Sequence, residues 1–323
     1  MKAAFKYFII WLGLNIIATF LVIIVGYIVC SIMGHPLPTL EDIMDHSWIT
    51  LGTLVVTDLL VLLVFWMRKY TRFGFNYGFT YGESFSSKRL YLWAGVGALG
   101  LLIFDVMAQY YLPIPEDPEI METLTQMMKN PLGVLSICLI GPLAEEVVFR
   151  GAIERRLLEK NWSPWYAIVI SALFFAVAHM NFAQGFTATV IGIFMGWVYY
   201  RTRSIWPTVF IHVLNNTTAT IVALASPETM ADETFVPPLS WGIPLLIAGI
   251  ALIIIAARYI GKLTADRTPI PVPVNEVLPP PLPGNGVMPP PFPVNEAVPG
   301  SPIEPVEAPK PDEIIDDTQN DVL

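Results

Sequence analysis

"FIIWLGLNIIATFLVIIVGYIVCSIM", Phe8 to Met33, contains no charged residue. A helix needs about 20 apolar residues to cross roughly 30 Å of hydrocarbon, and this run exceeds that length. It is too long for the apolar region of a signal peptide, and no small-residue cleavage site follows it, so it reads as a retained membrane helix. Seven further runs follow at about 49–67, 90–112, 132–155, 165–181, 186–200, 205–225 and 241–260, two of them short. With 54% of the chain hydrophobic and 14% charged, a soluble domain is excluded. The expected fold is all-α: a polytopic membrane helix bundle of about eight transmembrane helices over residues 1–268.

Basic residues orient the bundle, because cytoplasmic loops carry the Lys and Arg excess. Lys2 and Lys6 precede the first run, and Arg68, Lys69, Arg72, Lys88 and Arg89 follow the second. Arg155, Arg156 and Lys160 follow the fourth, Arg201 and Arg203 the sixth, and Arg258, Lys262 and Arg267 close the eighth. The opposite loops are acidic, at Glu41, Asp42 and Asp45, at Glu116, Asp117, Glu119 and Glu122, and at Glu228, Asp232 and Glu233, with Lys129 the exception. Both termini are therefore expected in the cytoplasm.

The net charge of −9 belongs to one segment. Residues 269–323 hold nine acidic residues and one Lys, which leaves 17 basic and 18 acidic residues in the rest of the chain. That tail repeats every ten residues, as "PVNEVLPPPL", "PGNGVMPPPF" and "PVNEAVPGSP". Its proline density forbids helix and central strand, and its apolar content is too sparse to bury. It is expected to be a disordered, partly polyproline II spacer on the cytoplasmic side; a docking site for a proline-recognising protein is the sharper alternative. No basic field points to nucleic acid. Cys30 and Cys138 lie in apolar runs without disulfide or zinc spacing, as packed, reduced thiols do.

Ionisable residues at membrane depth are costly and face the bundle interior. Here they are Asp58, Asp105, the trio Glu145, Glu146 and Arg150 in "GPLAEEVVFRG", His179, and His212 with Asn215 and Asn216. Glu146 and Arg150 are one helical turn apart and form a natural ion pair. Glu145 is rotated about 100° from Glu146 and is free to point elsewhere. His212 and Asn216 share a face by the same spacing, whereas Asn215 reads as an interhelical hydrogen-bonding residue. Counted at about 1.5 Å per residue from the basic or Trp boundary, Glu145, His179 and His212 lie roughly 15, 20 and 10 Å deep. All three therefore fall in the middle of the bilayer.

Glu146 with Arg150, taken alone, reads as a structural ion pair, and a single intramembrane His is ambiguous. A carboxylate and two imidazoles from three helices at one depth shift the balance to function. A carboxylate serves as general base on water with an imidazole helping to hold it, and an imidazole and an amide suit the oxyanion of a tetrahedral acyl intermediate. Glu145, His179 and His212 are equally a set for Zn2+ or another divalent metal. The HExxH arrangement is absent. Asp58 and Asp105 read as helix–helix hydrogen bonders, and Gly192–Gly196, "GIFMG", as a small-residue helix contact.

"EEVVFRG", "FFAVAHM" with Phe175 four residues before His179, and "HVLNN" with His212 four before Asn216 resemble the EExxxR, FxxxH and HxxxN motifs of the CPBP intramembrane proteases. This family is also called the type II CAAX-prenyl protease or Abi family. The likeness covers about residues 130–225 and extends into "YYRTRSIWPTVFIHVLNN", where Arg203 stands at a position often Gly, a departure expected to be harmless. The tail has no counterpart. The resemblance implies Glu145 as general base with His179 beside it, and His212 and Asn216 as the oxyanion site. Glu146 and Arg150 would orient the helix, and Phe175 would pack on His179. It implies a peptide or membrane-protein substrate met within the lipid bilayer of a bacterial plasma membrane, in CAAX-type processing, peptide processing or bacteriocin self-immunity. Metal-dependent and metal-free glutamate mechanisms are both described for the family. Two rivals stand beside the protease: a catalytically silent immunity or scaffold protein, and a proton-coupled transporter. The transporter predicts an internal repeat of broken helices, which the chain lacks.

Overall fold

The computed structural model describes residues 2–34, 47–68, 86–111, 118–160, 162–180, 182–225 and 237–265. The proline-rich tail lies outside them. Every regular element among the described residues is helical: α1 (Lys2–Met33), α2 (Ser47–Met67), α3 (Lys88–Tyr111), α4 (Pro118–Met128), α5 (Pro131–Leu158), α6 (Pro164–Ala178), α7 (Phe182–Thr202), α8 (Trp206–Ala225) and α9 (Leu239–Leu263). The eight expected runs each coincide with one of these helices. Six are long and apolar enough to cross a membrane. Of the other two, α6 is short, and α7 is diluted by Gln184, Gly185, Thr187 and Thr189. The protein is an integral membrane protein.

One element departs from expectation. The stretch read as acidic loop forms α4, because Pro118 presets the first helical turn and Met121, Leu124 and Met128 recur at helical spacing. Met127 is buried, and its backbone lies where a Cβ on Gly133 would have to go.

In lipid the apolar side chains gain little by leaving their solvent, so association rests on close packing and small residues. α3 packs most extensively on α9, α6 on α7, and α1 on α2. At the α3–α9 crossing the backbones nearly touch. A Cβ on Gly100 would stand 2.7 Å from the Gly249 carbonyl oxygen, and one on Gly249 would stand 3.0 Å from that of Gly100. Trp93 and Tyr259 stack on the same pair of helices with centroids 3.9 Å apart. Gly100→Ala is therefore expected to lower stability by about 1–3 kcal/mol, since neither backbone can yield; thermal unfolding of the detergent-solubilised protein measures it.

Helix α5 is not a uniform α-helix. Ser136–Ile140 and Phe149–Glu154 are π-helical turns. The first has a local cause: Pro142 donates no hydrogen bond and its ring crowds the carbonyl one turn back. The turn before it widens, and the Gly141 N–H reaches the Ser136 oxygen five residues earlier. Such turns are frequent at functional sites, and the second carries Arg150 and Glu154.

Two non-glycine residues adopt left-handed backbone, Met180 at φ 48° and Arg203 at φ 56°. The expectation that Arg203 is harmless in place of Gly is corrected by this. An L-residue there carries a cost of roughly 1–2 kcal/mol that glycine escapes. Met180 terminates α6 directly after His179 and is 85% exposed, so its side chain contributes little packing. Met180→Gly is expected to raise stability by about 0.5–1 kcal/mol, the left-handed strain outweighing the extra chain entropy. A melting temperature that falls would contradict this.

Candidate active site

Glu145 and Glu146 are adjacent but lie in different surroundings. Glu146 is fully buried, and its Oε1 accepts hydrogen bonds from Arg150 Nη1 at 2.6 Å and from His212 Nδ1 at 3.1 Å. Arg150 is equally buried, donates a second bond to the Gly192 carbonyl oxygen at 3.1 Å, and lies 4.8 Å over the Phe175 ring. Glu145 keeps 31% of its side chain exposed, and its Oε2 faces His212 Nε2 at 3.5 Å. The imidazole of α8 is thus wedged between the two carboxylates of α5. The contact of Nδ1 with Glu146 fixes the orientation of the ring, with Nε2 turned toward Glu145.

Phe175 forms the floor. Its ring meets His179 edge-on at 4.8 Å and His212 edge-on at 5.6 Å, and Phe149 closes its other side at 5.3 Å. His179, at the end of α6, donates from Nδ1 to the Phe175 carbonyl oxygen at 2.9 Å, which leaves Nε2 as the ring's lone-pair nitrogen. Among the described residues no hydrogen bond or ion pair joins His179 to Glu145; the imidazole beside Glu145 is that of His212. Asn216 spends one amide hydrogen on the Ile137 carbonyl oxygen at 3.0 Å, inside the first π turn. Its second hydrogen is uncommitted by that bond.

As a metal set these residues do not converge. Among the described residues no three His, Cys, Asp or Glu side chains are placed to hold a metal ion. No step below runs through a metal.

Several polar residues behave otherwise than their sequence context indicates. Asp105 accepts from Gln109 Nε2 of its own helix at 3.2 Å and faces the Thr187 hydroxyl of α7. Asp58 and Asn215 do not fit the hydrogen-bonding role: Asp58 Oδ2 and Asn215 Oδ1 are buried without a partner. Gly192 does pack on Ala172 of α6, yet its carbonyl also anchors Arg150. Cys138 is buried, with Sγ 3.5 Å from the Thr220 hydroxyl. Glu154 was not singled out by sequence, being adjacent to Arg155 and Arg156 at the expected interface. It is fully buried, with neither carboxylate oxygen hydrogen-bonded, and a Cβ on Gly196 would lie 2.7 Å from its Oε2. Its spacing, four residues after Arg150 and eight after Glu146, is the signal that would have found it.

The fold and site together define a polytopic membrane protein whose core encloses a carboxylate–imidazole cluster ordered by a buried Arg. Residues 128–218, which contain every motif position, match the family model for Rce1-like type II CAAX prenyl endopeptidases. YdiL of Bacillus subtilis (strain 168), whose name describes a membrane peptidase, is 27% identical over 166 residues, 50% of this chain and 66% of that protein. The membrane-embedded CAAX protease MroQ of Staphylococcus aureus (strain USA300) is 28% identical over 152 residues, 44% of this chain and 62% of that one. The chain thus spans just under two thirds of the length of these relatives. Residues 10–110 also match a model described as HupE / UreJ protein, a segment that ends before the first motif. No solved structure matches.

Proposed function

We propose that the protein is an intramembrane endopeptidase in which Glu145 activates water. The observation that carries this reading is the unequal treatment of two neighbouring carboxylates: Glu146 is sealed and neutralised by Arg150, while Glu145 is partly open and meets an oriented imidazole. In this reaction Glu145 removes a proton from water as the water oxygen bonds to the substrate carbonyl carbon. The resulting oxyanion is stabilised by His212 and by the second amide hydrogen of Asn216. When the C–N bond breaks, the proton held by Glu145 passes to the departing nitrogen. Glu146 keeps His212 in its orientation, and His179 lines the site across the Phe175 ring. The membrane is a bacterial plasma membrane with both termini in the cytoplasm, and the substrate is a peptide or membrane protein presented from the bilayer.

The relatives support peptidase chemistry. Comparing the membrane proteome of wild-type cells with that of a Glu145→Gln strain tests it, because uncleaved precursors should accumulate in the variant. Identical proteomes, or protection and partner binding that survive Glu145→Ala, would favour a silent scaffold on the same fold.

A further inference from the structure

The two donors assigned to the oxyanion are held from one helix by different means. A side chain of α5 holds His212, through the 3.1 Å contact with Glu146. The backbone of α5 holds Asn216, whose Nδ2 donates to the Ile137 carbonyl oxygen at 3.0 Å. A carbonyl inside an α-helix is normally occupied by the N–H four residues on. Here that N–H belongs to Gly141, and it goes to the Ser136 oxygen instead. In the wider π register the donor to Ile137 would be the N–H five residues on. Residue 142 is proline and has none. The Ile137 oxygen is thus deprived of both helical donors, and Asn216 takes it. Because a carbonyl only accepts, this bond also decides which end of the amide faces α5, Nδ2 rather than Oδ1. Thr220, one turn further along α8, meets the next residue of the same π turn, its hydroxyl 3.5 Å from Cys138 Sγ. His212, Asn216 and Thr220 recur every four residues, so one face of α8 is laid against α5.

We infer that Pro142 is a positioning residue of the oxyanion site and acts through Asn216. By withholding one N–H and diverting another, it leaves the Ile137 carbonyl free to fix the Asn216 amide. One amide hydrogen is spent on that anchor, and the other is kept for the oxyanion in a single side-chain conformation. Pro142 itself forms no bond to substrate. The first π turn is then a working part of the site rather than an irregularity of α5. The inference rests on the role proposed for Asn216 above and adds the residue that sets it.

Pro142→Ala tests this, because it returns the missing N–H. In the π register that N–H reaches Ile137 directly, and in an α register the Gly141 N–H does, so Asn216 meets a competitor either way. NMR of the full chain in lipid nanodiscs, labelled with 15N-asparagine and assigned with Asn216→Ala, reads the bond without a substrate. In the wild type one Asn216 amide hydrogen is expected downfield of a free side-chain amide, and in Pro142→Ala it should return toward the free position. A wild-type resonance at the free position, or one that Pro142→Ala leaves in place, overturns the inference. The wild-type measurement stands even where the variant fails to fold. With a cleavable precursor, Pro142→Ala should lower kcat by roughly tenfold or more with KM little changed, short of the roughly 10²–10³-fold that loss of an oxyanion donor costs. In an Asn216→Ala background the same substitution should cost nothing further; a full additional loss would mean that Pro142 acts through the helix at large, and would also overturn it. A shifted Asn216 resonance in a protein without peptidase activity would sink the peptidase reading and leave the anchor; cleavage with an unmoved resonance would do the reverse.

Discussion

Glu145→Gln is expected to reduce peptide-bond cleavage by roughly 10²–10⁴-fold, the range a general base contributes, while the protein remains folded and membrane-inserted. The two halves of this expectation have separate causes. The amide is nearly isosteric and lies where 31% of the side chain is already exposed, so the change in stability should stay within about 0.5 kcal/mol. The amide cannot take a proton from water, so the rate falls even though substrate still binds. Purified protein in liposomes, assayed with a precursor identified from the variant strain, separates the two, with kcat falling and KM little changed. The same substitution one residue later should behave in the opposite sense. Glu146→Gln removes the charge that Arg150 and His212 both hold, so it should lower the melting temperature as well as the rate. Equal loss of stability in both variants would mean that the two carboxylates do not have separate roles.

The helices were legible because a membrane span leaves a strong and simple trace, a long apolar run bounded by charge, and all eight runs coincide with helices. α4 was missed because its pattern is short and sits among acidic residues, which resembles a loop. The π turns were invisible to any argument that assumes 3.6 residues per turn, although Pro142 announces the first. Within the site, Glu146–Arg150 pairing followed from spacing alone. The wedge of His212 between Glu145 and Glu146 could not follow from it, because that contact joins residues 66 apart through side-chain conformations no periodicity encodes. The same limit explains the exchange of imidazoles at Glu145: His179 and His212 are indistinguishable by depth, and helix rotation decides which one arrives. Asp58 was read as a helix–helix hydrogen bonder, but its Oδ2 is buried without a partner, which no spacing argument could show.

Arg150→Ala is expected to be the most destabilising single change in the core, by about 3–5 kcal/mol, because it strands buried charge instead of removing it. The guanidinium pairs with Glu146, reaches the Gly192 backbone, and acts electrostatically on Glu154. Without it, α5 loses its anchor on α7 and two fully buried carboxylates face apolar side chains. Arg150→Lys should recover only part of the loss, since a single ammonium cannot serve Glu146 and the Gly192 carbonyl with the planar fork that spans both. The decisive comparison is Arg150→Met combined with Glu146→Gln and Glu154→Gln. Replacing a whole buried charge cluster with neutral residues of similar volume is often close to neutral for stability, so this triple variant should melt nearer to wild type than Arg150→Ala does. Its activity should nevertheless stay low, because a neutral amide no longer holds His212 as the Glu146 carboxylate does and Nε2 is no longer aimed at Glu145. Stability and activity restored together would show that the cluster serves packing alone, whereas restored melting with lost cleavage places the ladder from Arg150 through Glu146 to His212 in the orientation of the site.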